Sequence, residues 1–302
     1  MLSFLLELVP SLLVGFWLGG QQPELSTRLA RPLVRFGVPL SVMGLLLRGG
    51  LTSAVLKAAV VAPVVVSLWL VLVSIESAGK PHRSSALKLG SCVGNTAYVG
   101  VPLALAFLPE TALSITIGYD IGATLFTWSV GAVMLAGGSL QSSSLLQGAA
   151  QGLLLSPASR GLLGALLVQW TPWSESLADA LWWPSRLVLI LALFVVGLRL
   201  GALFRDRRIP GLLNRGLRSA LVGKLLLFPL LLMVLGLLLR WDPLMIKAMA
   251  LQGATPTAIS VLLLSESAGR EQGDAASLVF WSTVLALITA SLWGQVLPWL
   301  VN

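Results

Sequence analysis

The chain has 302 residues, of which 56% are hydrophobic and only 11% are charged, and its mean hydropathy is +0.90. An ordinary soluble domain has about 25% charged residues, so this composition excludes that class and indicates a polytopic membrane protein. The net charge of +8 arises from basic residues in short loops between apolar segments, where the positive-inside rule accounts for them. We therefore expect a lipid bilayer, and no nucleic acid, as the partner.

Apolar segments of membrane-spanning length recur along the whole chain. A spanning helix needs roughly 20 apolar residues, and on that basis the sequence predicts ten, at 2–20, 32–50, 55–75, 84–108, 112–137, 155–171, 180–203, 216–239, 244–266 and 275–300. A segment rich in Gly, Ser and Gln separates the fifth from the sixth. We therefore predict an all-α protein with two five-helix domains, 1–137 and 155–302, joined by a linker at 138–154.

Basic residues are unevenly divided between the two sides of the predicted helix bundle. One side has thirteen Lys and Arg residues: Arg28, Arg31, Arg35, Lys80, Arg83, Lys88, Arg160, Arg205, Arg207, Arg208, Arg215, Arg218 and Arg270. The other side has five: Arg48, Lys57, Arg186, Arg240 and Lys247. The positive-inside rule places the first side in the cytoplasm, and ten spans then place both termini outside it.

The stretch 90–104 is flanked by apolar residues but is poorly suited to a continuous helix. Pro102 has no amide hydrogen for the Tyr98 carbonyl, and its ring disfavours a helical conformation of the preceding residue. Such a break at membrane depth survives only where protein or a water-filled cavity surrounds it. Polar side chains occur at the same place, namely Asn95, Thr96 and Tyr98. A broken helix with polar groups at mid-bilayer is typical of a carrier's binding site.

The second half of the chain repeats this pattern. A shift of 154 residues relates Pro102 to Pro256 and Asp120 to Asp274, so the two prolines fall in the fourth and ninth predicted helices. Because each half has an odd number of spans, the halves have opposite orientations in the membrane. The pattern predicts an inverted-topology repeat in which two broken helices meet near the midplane.

Two motifs resemble the auxin efflux carrier family of membrane transporters. The segment Gly94-Asn-Thr-Ala-Tyr-Val-Gly-Val-Pro102 is similar to the family's Asn-Thr-x-x-x-Gly-x-Pro signature in the fourth span. The segments Thr255-Pro256-Thr-Ala258, Ser265-Glu-Ser-Ala-Gly269 and the stretch that begins at Asp274 are similar to its ninth and tenth spans. The resemblance covers both halves of the chain, with the motifs in the same order and spacing as in the family.

This resemblance implies both a fold and an activity. It implies ten spans in two inverted five-helix repeats, crossover helices four and nine, extracellular termini and a homodimer. It also implies transport of small organic anions, mono- or dicarboxylates such as auxin, malate, lactate or malonate. Plant members have a long central loop, whereas residues 137–155 are short. This difference favours a compact bacterial-type member in the inner membrane and argues against auxin itself.

The candidate substrate-binding residues surround the two predicted breaks: Asn95, Thr96, Tyr98, Pro102, Gln252, Thr255, Pro256 and Thr257. Each break starts a half-helix whose free amides together carry about +0.5 charge. Two such starts facing one cavity would bind a carboxylate without any arginine. The alternative is that the prolines only kink the helices and the polar side chains satisfy the freed carbonyls.

Ionisable residues within the predicted spans have alternative interpretations. Asp120 is predicted near the start of the fifth span, where it could couple transport to protons or cap the helix. Arg199 and Lys224 are expected near cytoplasmic span ends, with their long side chains extending to the interface. His82, in a basic loop, has no second histidine or cysteine nearby for metal binding. Cys92 is expected to be a buried packing residue.

The sequence favours a transporter over an enzyme. It has no phosphate-binding loop, metal-ligand cluster or nucleophile–base pair, so we predict no catalytic residue, no metal and no cofactor. The first hypothesis is a secondary carrier of small organic anions that works by alternating access, and the family resemblance implies export. One alternative is a sodium- or proton-coupled symporter or exchanger with the same crossover architecture. Another is a membrane sensor or scaffold without transport.

Overall fold

The computed structural model describes residues 2–76, 84–137, 156–206 and 214–301. The predicted linker at 138–154 lies outside these ranges, as do Lys80, His82 and Arg83. Within them the regular structure is helical, and a single antiparallel bridge joins Gly94 to Thr257. The prediction of an all-α protein is confirmed.

The helices follow the predicted apolar segments closely. They are α1 Leu2–Gln21, α2 Glu24–Gly49, α3 Ser53–Glu76, α4 Ser85–Gly90, α5 Thr96–Phe107, α6 Ala112–Ala136, α7 Pro157–Val168, α8 Ser174–Arg205, α9 Arg215–Leu238, α10 Pro243–Gly253, α11 Ile259–Ala268 and α12 Gln272–Leu300. In the described ranges six of them are long and apolar enough to cross a membrane: α2, α3, α6, α8, α9 and α12. Shorter apolar helices are α5, α7 and α11. The count of ten spans stays a prediction.

The segments predicted as the fourth and ninth spans are each divided into two helices. Residues 91–95, here called break one, separate α4 from α5, and residues 254–258, called break two, separate α10 from α11. The other predicted spans correspond to single helices, some of which contain a π-helical turn. The two interruptions therefore occur in the predicted segments, although break one is not at Pro102.

Pro102 does not break its helix, contrary to the prediction. It follows a wide π-helical turn, Thr96–Gly100, and Val101 keeps helical dihedral angles of −63° and −49°. The same arrangement precedes Pro39, after the turn Leu33–Gly37, and Pro229, after the turn Gly223–Leu227. A proline ring clashes with the carbonyl four residues earlier, and a π-helical turn moves that carbonyl away. The chain therefore accommodates these prolines by widening the helix.

Ion pairs and hydrogen bonds identify the two ends of the molecule. At one end, the Arg205 guanidinium donates to the Gly20 carbonyl over 3.0 Å, which joins the end of α8 to the end of α1. At the opposite end, Arg48 of α2 pairs with Asp179 at 2.8 Å and with Glu110 at 3.0 Å. We call these the Arg205 end and the Arg48 end.

Candidate functional site

The two breaks lie against each other and satisfy each other's backbone groups. The Asn95 amide donates to the Pro256 carbonyl over 2.7 Å, and the Ala258 amide donates to the Val93 carbonyl over 3.1 Å. Gly94 and Thr257 face each other between these two bonds. Buried backbone groups without a partner would cost several kcal/mol in a membrane. Each break is therefore stabilised by the other.

Gly94 allows this close approach because it has no side chain. A Cβ at that position would contact the Thr255 hydroxyl and would lie 3.2 Å from the Lys224 Nζ atom. The pairing centred on Gly94 and Thr257 also differs from the 154-residue shift, which relates Gly94 to Ala248 in the interior of α10. Pro102 and Pro256 are therefore not equivalent positions, because Pro102 lies in a helix and Pro256 in a break.

Neutral side chains satisfy the carbonyl end of α4 in break one. The Thr257 hydroxyl donates to the Gly90 carbonyl over 2.8 Å, so a residue of break two caps the helix that ends at break one. The Ser91 hydroxyl donates to the Lys88 carbonyl over 2.6 Å and accepts a hydrogen bond from the Trp69 indole over 2.8 Å. This end of break one therefore has polar partners without a formal charge.

A carboxylate occupies the amide end of α5. The Thr96 hydroxyl donates to the Asp120 Oδ1 atom over 2.5 Å, and the Ala97 amide donates to the same carboxylate. Asp120 is only 6% exposed and lies in the interior of α6, so it does not cap the start of its own helix as one alternative expected. A negative charge is stabilised at a helix amide end. Asp120 therefore neutralises the start of α5.

An ammonium group occupies the carbonyl end of α10 in break two. The Lys224 Nζ donates to the Gly253 carbonyl over 2.5 Å, and the side chain has no exposed surface. The expectation that Lys224 extends to the membrane interface is wrong, since Lys224 reaches the meeting point of the two breaks. The sequence could not indicate this, because the direction of a side chain depends on which face of α9 packs inward.

The amide end of α11 is the least capped of the helix ends at the breaks. Its N-cap residue, Ala258, provides no side-chain hydrogen bond. Just before it, the Thr257 amide donates to the Ser282 hydroxyl over 2.9 Å. The first amides of a helix have no carbonyl partner within that helix. The start of α11 therefore presents donors without a resident charge.

A cavity of about 290 Å³ lies beside both breaks. Its wall includes three of the predicted site residues, Asn95, Thr96 and Tyr98, together with Asp120. It also includes the start of α11 at Ala258, Ile259 and Ser260. The remaining predicted residues are buried outside this wall: Pro102, Gln252, Thr255, Pro256 and Thr257.

Gln252 connects the two broken helices. Its side-chain amide donates to the Gly100 carbonyl over 3.0 Å, at the end of the π-helical turn in α5. Its other side-chain atom, the carbonyl oxygen, is buried and has no partner among the described residues. Gln252 therefore joins α10 to α5 instead of facing the cavity.

Arg199 also lines the cavity, although the sequence analysis expected it to extend to the interface. Its Nη2 atom pairs with the Glu266 carboxylate of α11 at 2.8 Å, and both side chains are about 30% exposed. The guanidinium has five N–H donors in total, so the single bond to Glu266 does not use its full capacity. Arg199 is the functional candidate that the sequence analysis missed.

The cavity lies towards the Arg205 end of the molecule. Its wall contains Ala30 and Val34 from the first half of α2, Ser156 before α7, and Arg199 from the last third of α8. At the Arg48 end, by contrast, the ion pairs of Arg48 hold the end of α2 against α8 and the α5–α6 connection. The two ends of the molecule are therefore arranged differently around the breaks.

Comparison with known proteins finds a family match in the second half of the chain. No curated protein matches the chain. Residues 152–294 match the family model described as Membrane transport protein, and the matched range includes Arg199, Lys224 and break two. It also includes the second-half segments that resemble the auxin efflux carrier family, whereas the motif at 94–102 lies before it. Residues 152–294 are therefore similar to the membrane transport domain of the auxin efflux carrier family, and this match indicates a membrane transporter.

Proposed function

We propose that this protein is a secondary transporter of small organic anions that works by alternating access around the two breaks. In this proposal the broken helices α4–α5 and α10–α11 are the crossover helices of an inverted repeat with ten spans. The observation that carries the proposal is the cavity of about 290 Å³, whose wall combines break one, the start of α11 and Arg199.

The anion site follows from the charges around this cavity. Asp120 already occupies the amide end of α5, so a second carboxylate there would be repelled. The start of α11 has no side-chain cap, and helix amide ends attract anions. Arg199 offers further donors in the same wall and suits the planar geometry of a carboxylate. We therefore assign the substrate carboxylate to the space between Arg199 and the first turn of α11.

The size and lining of the cavity favour a small substrate. Cavities for drug-sized ligands measure roughly 300–1,000 Å³, and this one is at the lower limit. Apolar side chains such as Leu33, Val34 and Leu263 complete the wall. Short mono- and dicarboxylates, including lactate, malate and malonate, fit this combination of a charged region and an apolar wall.

Alternating access requires that the two ends open in turn. The cavity lies towards the Arg205 end, which the positive-inside rule assigns to the cytoplasm. The opposite end is held by Arg48 with Glu110 and Asp179. We propose that these ion pairs separate when the outer side opens and that export is the physiological direction. We also propose a homodimer in the bacterial inner membrane with both termini outside the cytoplasm.

Asp120 is the proposed site of proton coupling. It lines the cavity and contacts break one through Thr96, so a change in its charge would act directly on the start of α5. Replacing Asp120 by Asn should abolish flux driven by a pH gradient and leave substrate exchange measurable. Unchanged gradient dependence in Asp120→Asn proteoliposomes would end this part of the proposal.

The proposed function is tested by transport in proteoliposomes. Radiolabelled lactate, malate, malonate and indole acetate are offered with and without imposed proton and sodium gradients, and we expect uptake of at least one of the three smaller anions. Replacing Arg199 by Gln should weaken substrate binding about tenfold or more, since a hydrogen bond to a charged group contributes about 1.5–3 kcal/mol. Arg186→Gln, on the same helix but outside the cavity wall, is the matched control. Binding without flux would favour a sensor instead.

A further inference from the structure

Lys224 is a buried cation whose charge the proposed anion site does not use. Its side chain has no exposed surface, and it lies in α9 at a depth where an ionised group is costly. Among the ion pairs formed by the described residues, none involves Lys224. A buried charge persists only when other groups compensate it. The groups around the ammonium therefore indicate what holds it there.

The compensation comes from the carbonyl end of a half-helix. The ammonium donates to the carbonyl of Gly253, the last residue of α10, over 2.5 Å. The carbonyl end of a helix carries about −0.5 charge. The Phe228 ring adds a second favourable surface, since its centroid lies 5.4 Å from Nζ and the face of an aromatic ring attracts a cation. These are the features of a site that selects a positive charge.

Further oxygen atoms lie around the same point. A Cβ on Gly94 would lie 3.2 Å from the Lys224 Nζ atom and 3.4 Å from the backbone carbonyl oxygen of Gln252. It would also contact the Thr255 hydroxyl. Carbonyl and hydroxyl oxygens at the end of a broken helix are the groups with which carriers coordinate Na⁺. Here the ammonium is already in place among them.

We propose that the Lys224 ammonium is a built-in cation at the meeting point of the two breaks and takes the place of a bound metal cation. The protein then needs no sodium to hold the breaks together. Removing the lysine side chain should leave a site for a monovalent cation. This site would be formed by the backbone carbonyl oxygens of Gly253 and Gln252 and by the hydroxyl of Thr255. The inference concerns the breaks alone and does not depend on which anion is transported.

Thermal unfolding of the purified protein tests this proposal. The midpoint temperature is measured in sodium chloride and in choline chloride at equal ionic strength, for the wild type, Lys224→Ala and Lys224→Ser. A ligand that binds only the folded state raises the midpoint in a concentration-dependent way. We expect no difference between the salts for the wild type, and a saturable rise of a few degrees in sodium for both variants. Lys57→Ala, which removes an exposed lysine of α3, should behave like the wild type.

Of the four other outcomes, three count against the proposal and one supports it. If the folded variants have the same midpoint in both salts, water fills the space and Lys224 is only a structural tie. If the wild type is itself stabilised by sodium, the ammonium does not fill the cation position. If neither variant folds in choline but both fold in sodium, the proposal is supported. If neither folds in either salt, sodium cannot replace the ammonium and the proposal is wrong.

Discussion

Break one and break two have similar backbones but opposite resident charges. In break one a carboxylate, Asp120, occupies the amide end of α5. In break two an ammonium, Lys224, occupies the carbonyl end of α10. The remaining two ends have neutral partners or none, because the hydroxyls of Thr257 and Ser91 donate to carbonyls at the end of α4, and α11 starts at Ala258, which provides no side-chain cap.

This difference shows why backbone symmetry does not produce two equal binding sites. Two half-helix starts facing a cavity appeared equivalent in the sequence, and both were expected to bind the anion. Since Asp120 neutralises one of them, only the start of α11 keeps its positive end for a ligand. In the proposed function the two breaks therefore have different roles: Asp120 supports break one, and the start of α11 after break two binds the anion.

The largest expected effect comes from separating the two breaks. Replacing Gly94 by Ala introduces a Cβ that would contact the Thr255 hydroxyl and approach Lys224. Overpacking of a tight interior typically costs about 1–3 kcal/mol, and occasionally more. We expect Gly94→Ala to be near or above the upper value, because the Thr255 hydroxyl in its way is fully buried and hydrogen-bonded to the Gln252 backbone carbonyl. The measurement is the thermal unfolding midpoint of the purified protein.

Gly273→Ala is the matched control for this experiment. Gly273 lies in the first turn of α12, and a Cβ there would have no neighbour within 4 Å. The thermal unfolding midpoint of Gly273→Ala should stay at the wild-type value or rise slightly, since Ala is a better helix former than Gly. Equal midpoints for Gly94→Ala and Gly273→Ala would mean that the breaks are not in close contact.

A smaller effect is expected from the neutral partner in break two. The Ser282 hydroxyl accepts a hydrogen bond from the Thr257 amide over 2.9 Å, and both residues are buried. Ser282→Ala leaves that amide unpaired, which should cost about 1–3 kcal/mol. Ser267→Ala, whose hydroxyl donates to the Leu263 carbonyl on an exposed part of α11, should cost clearly less. If Ser282→Ala lowers the free energy of unfolding no more than Ser267→Ala does, Ser282 does not stabilise break two through the Thr257 amide.

The smallest effects on stability are expected from replacing the two prolines, and the two variants should differ from each other. Pro102→Ala permits an additional helical hydrogen bond in α5, so the midpoint should be unchanged or higher, with unchanged substrate affinity. Pro256 lies in break two, outside the helices, and Pro256→Ala should lower the free energy of unfolding by about 0.4–1 kcal/mol, because the unfolded chain gains freedom. The 154-residue shift predicted that the two positions are equivalent. Equal reductions of substrate affinity in Pro102→Ala and Pro256→Ala would instead support the equivalence of the two positions.

The sequence predicted the helices well because apolar length and loop composition determine them locally. It also located the two interruptions to within a few residues, from polar groups at membrane depth. It attributed break one to Pro102, however, because a proline alone does not reveal whether a helix breaks or widens into a π-helical turn. The structure resolves this with the turn Thr96–Gly100.

The site was harder to predict than the fold because it depends on which helix faces meet. Asn95, Thr96 and Tyr98 were identified from their position beside the break, and they line the cavity. Arg199 and Lys224 were assigned to the interface, since a sequence gives the depth of a long side chain only approximately. Their contacts with Glu266 and Gly253 arise between distant parts of the chain, which no local pattern indicates.

The central claim is that the start of α11 binds the substrate carboxylate, and one substitution tests it directly. Ile259 is the first residue of α11, where proline is tolerated because its missing N–H has no helical partner. The preceding residue, Ala258, has φ −66° and ψ 140°, a conformation that suits a residue before proline. Ile259→Pro therefore removes one amide donor from the cavity and leaves the helix intact.

The decisive measurement is the affinity of purified Ile259→Pro and Ile259→Ala for the anion that the transport assay identifies. Ile259→Ala removes the same side chain and keeps the amide, so it isolates the contribution of the donor. We predict an affinity about tenfold or more lower in Ile259→Pro than in Ile259→Ala, the loss expected for one hydrogen bond to a charged group. Equal affinities in the two variants, with equal unfolding midpoints, would contradict the assignment of the carboxylate to the start of α11.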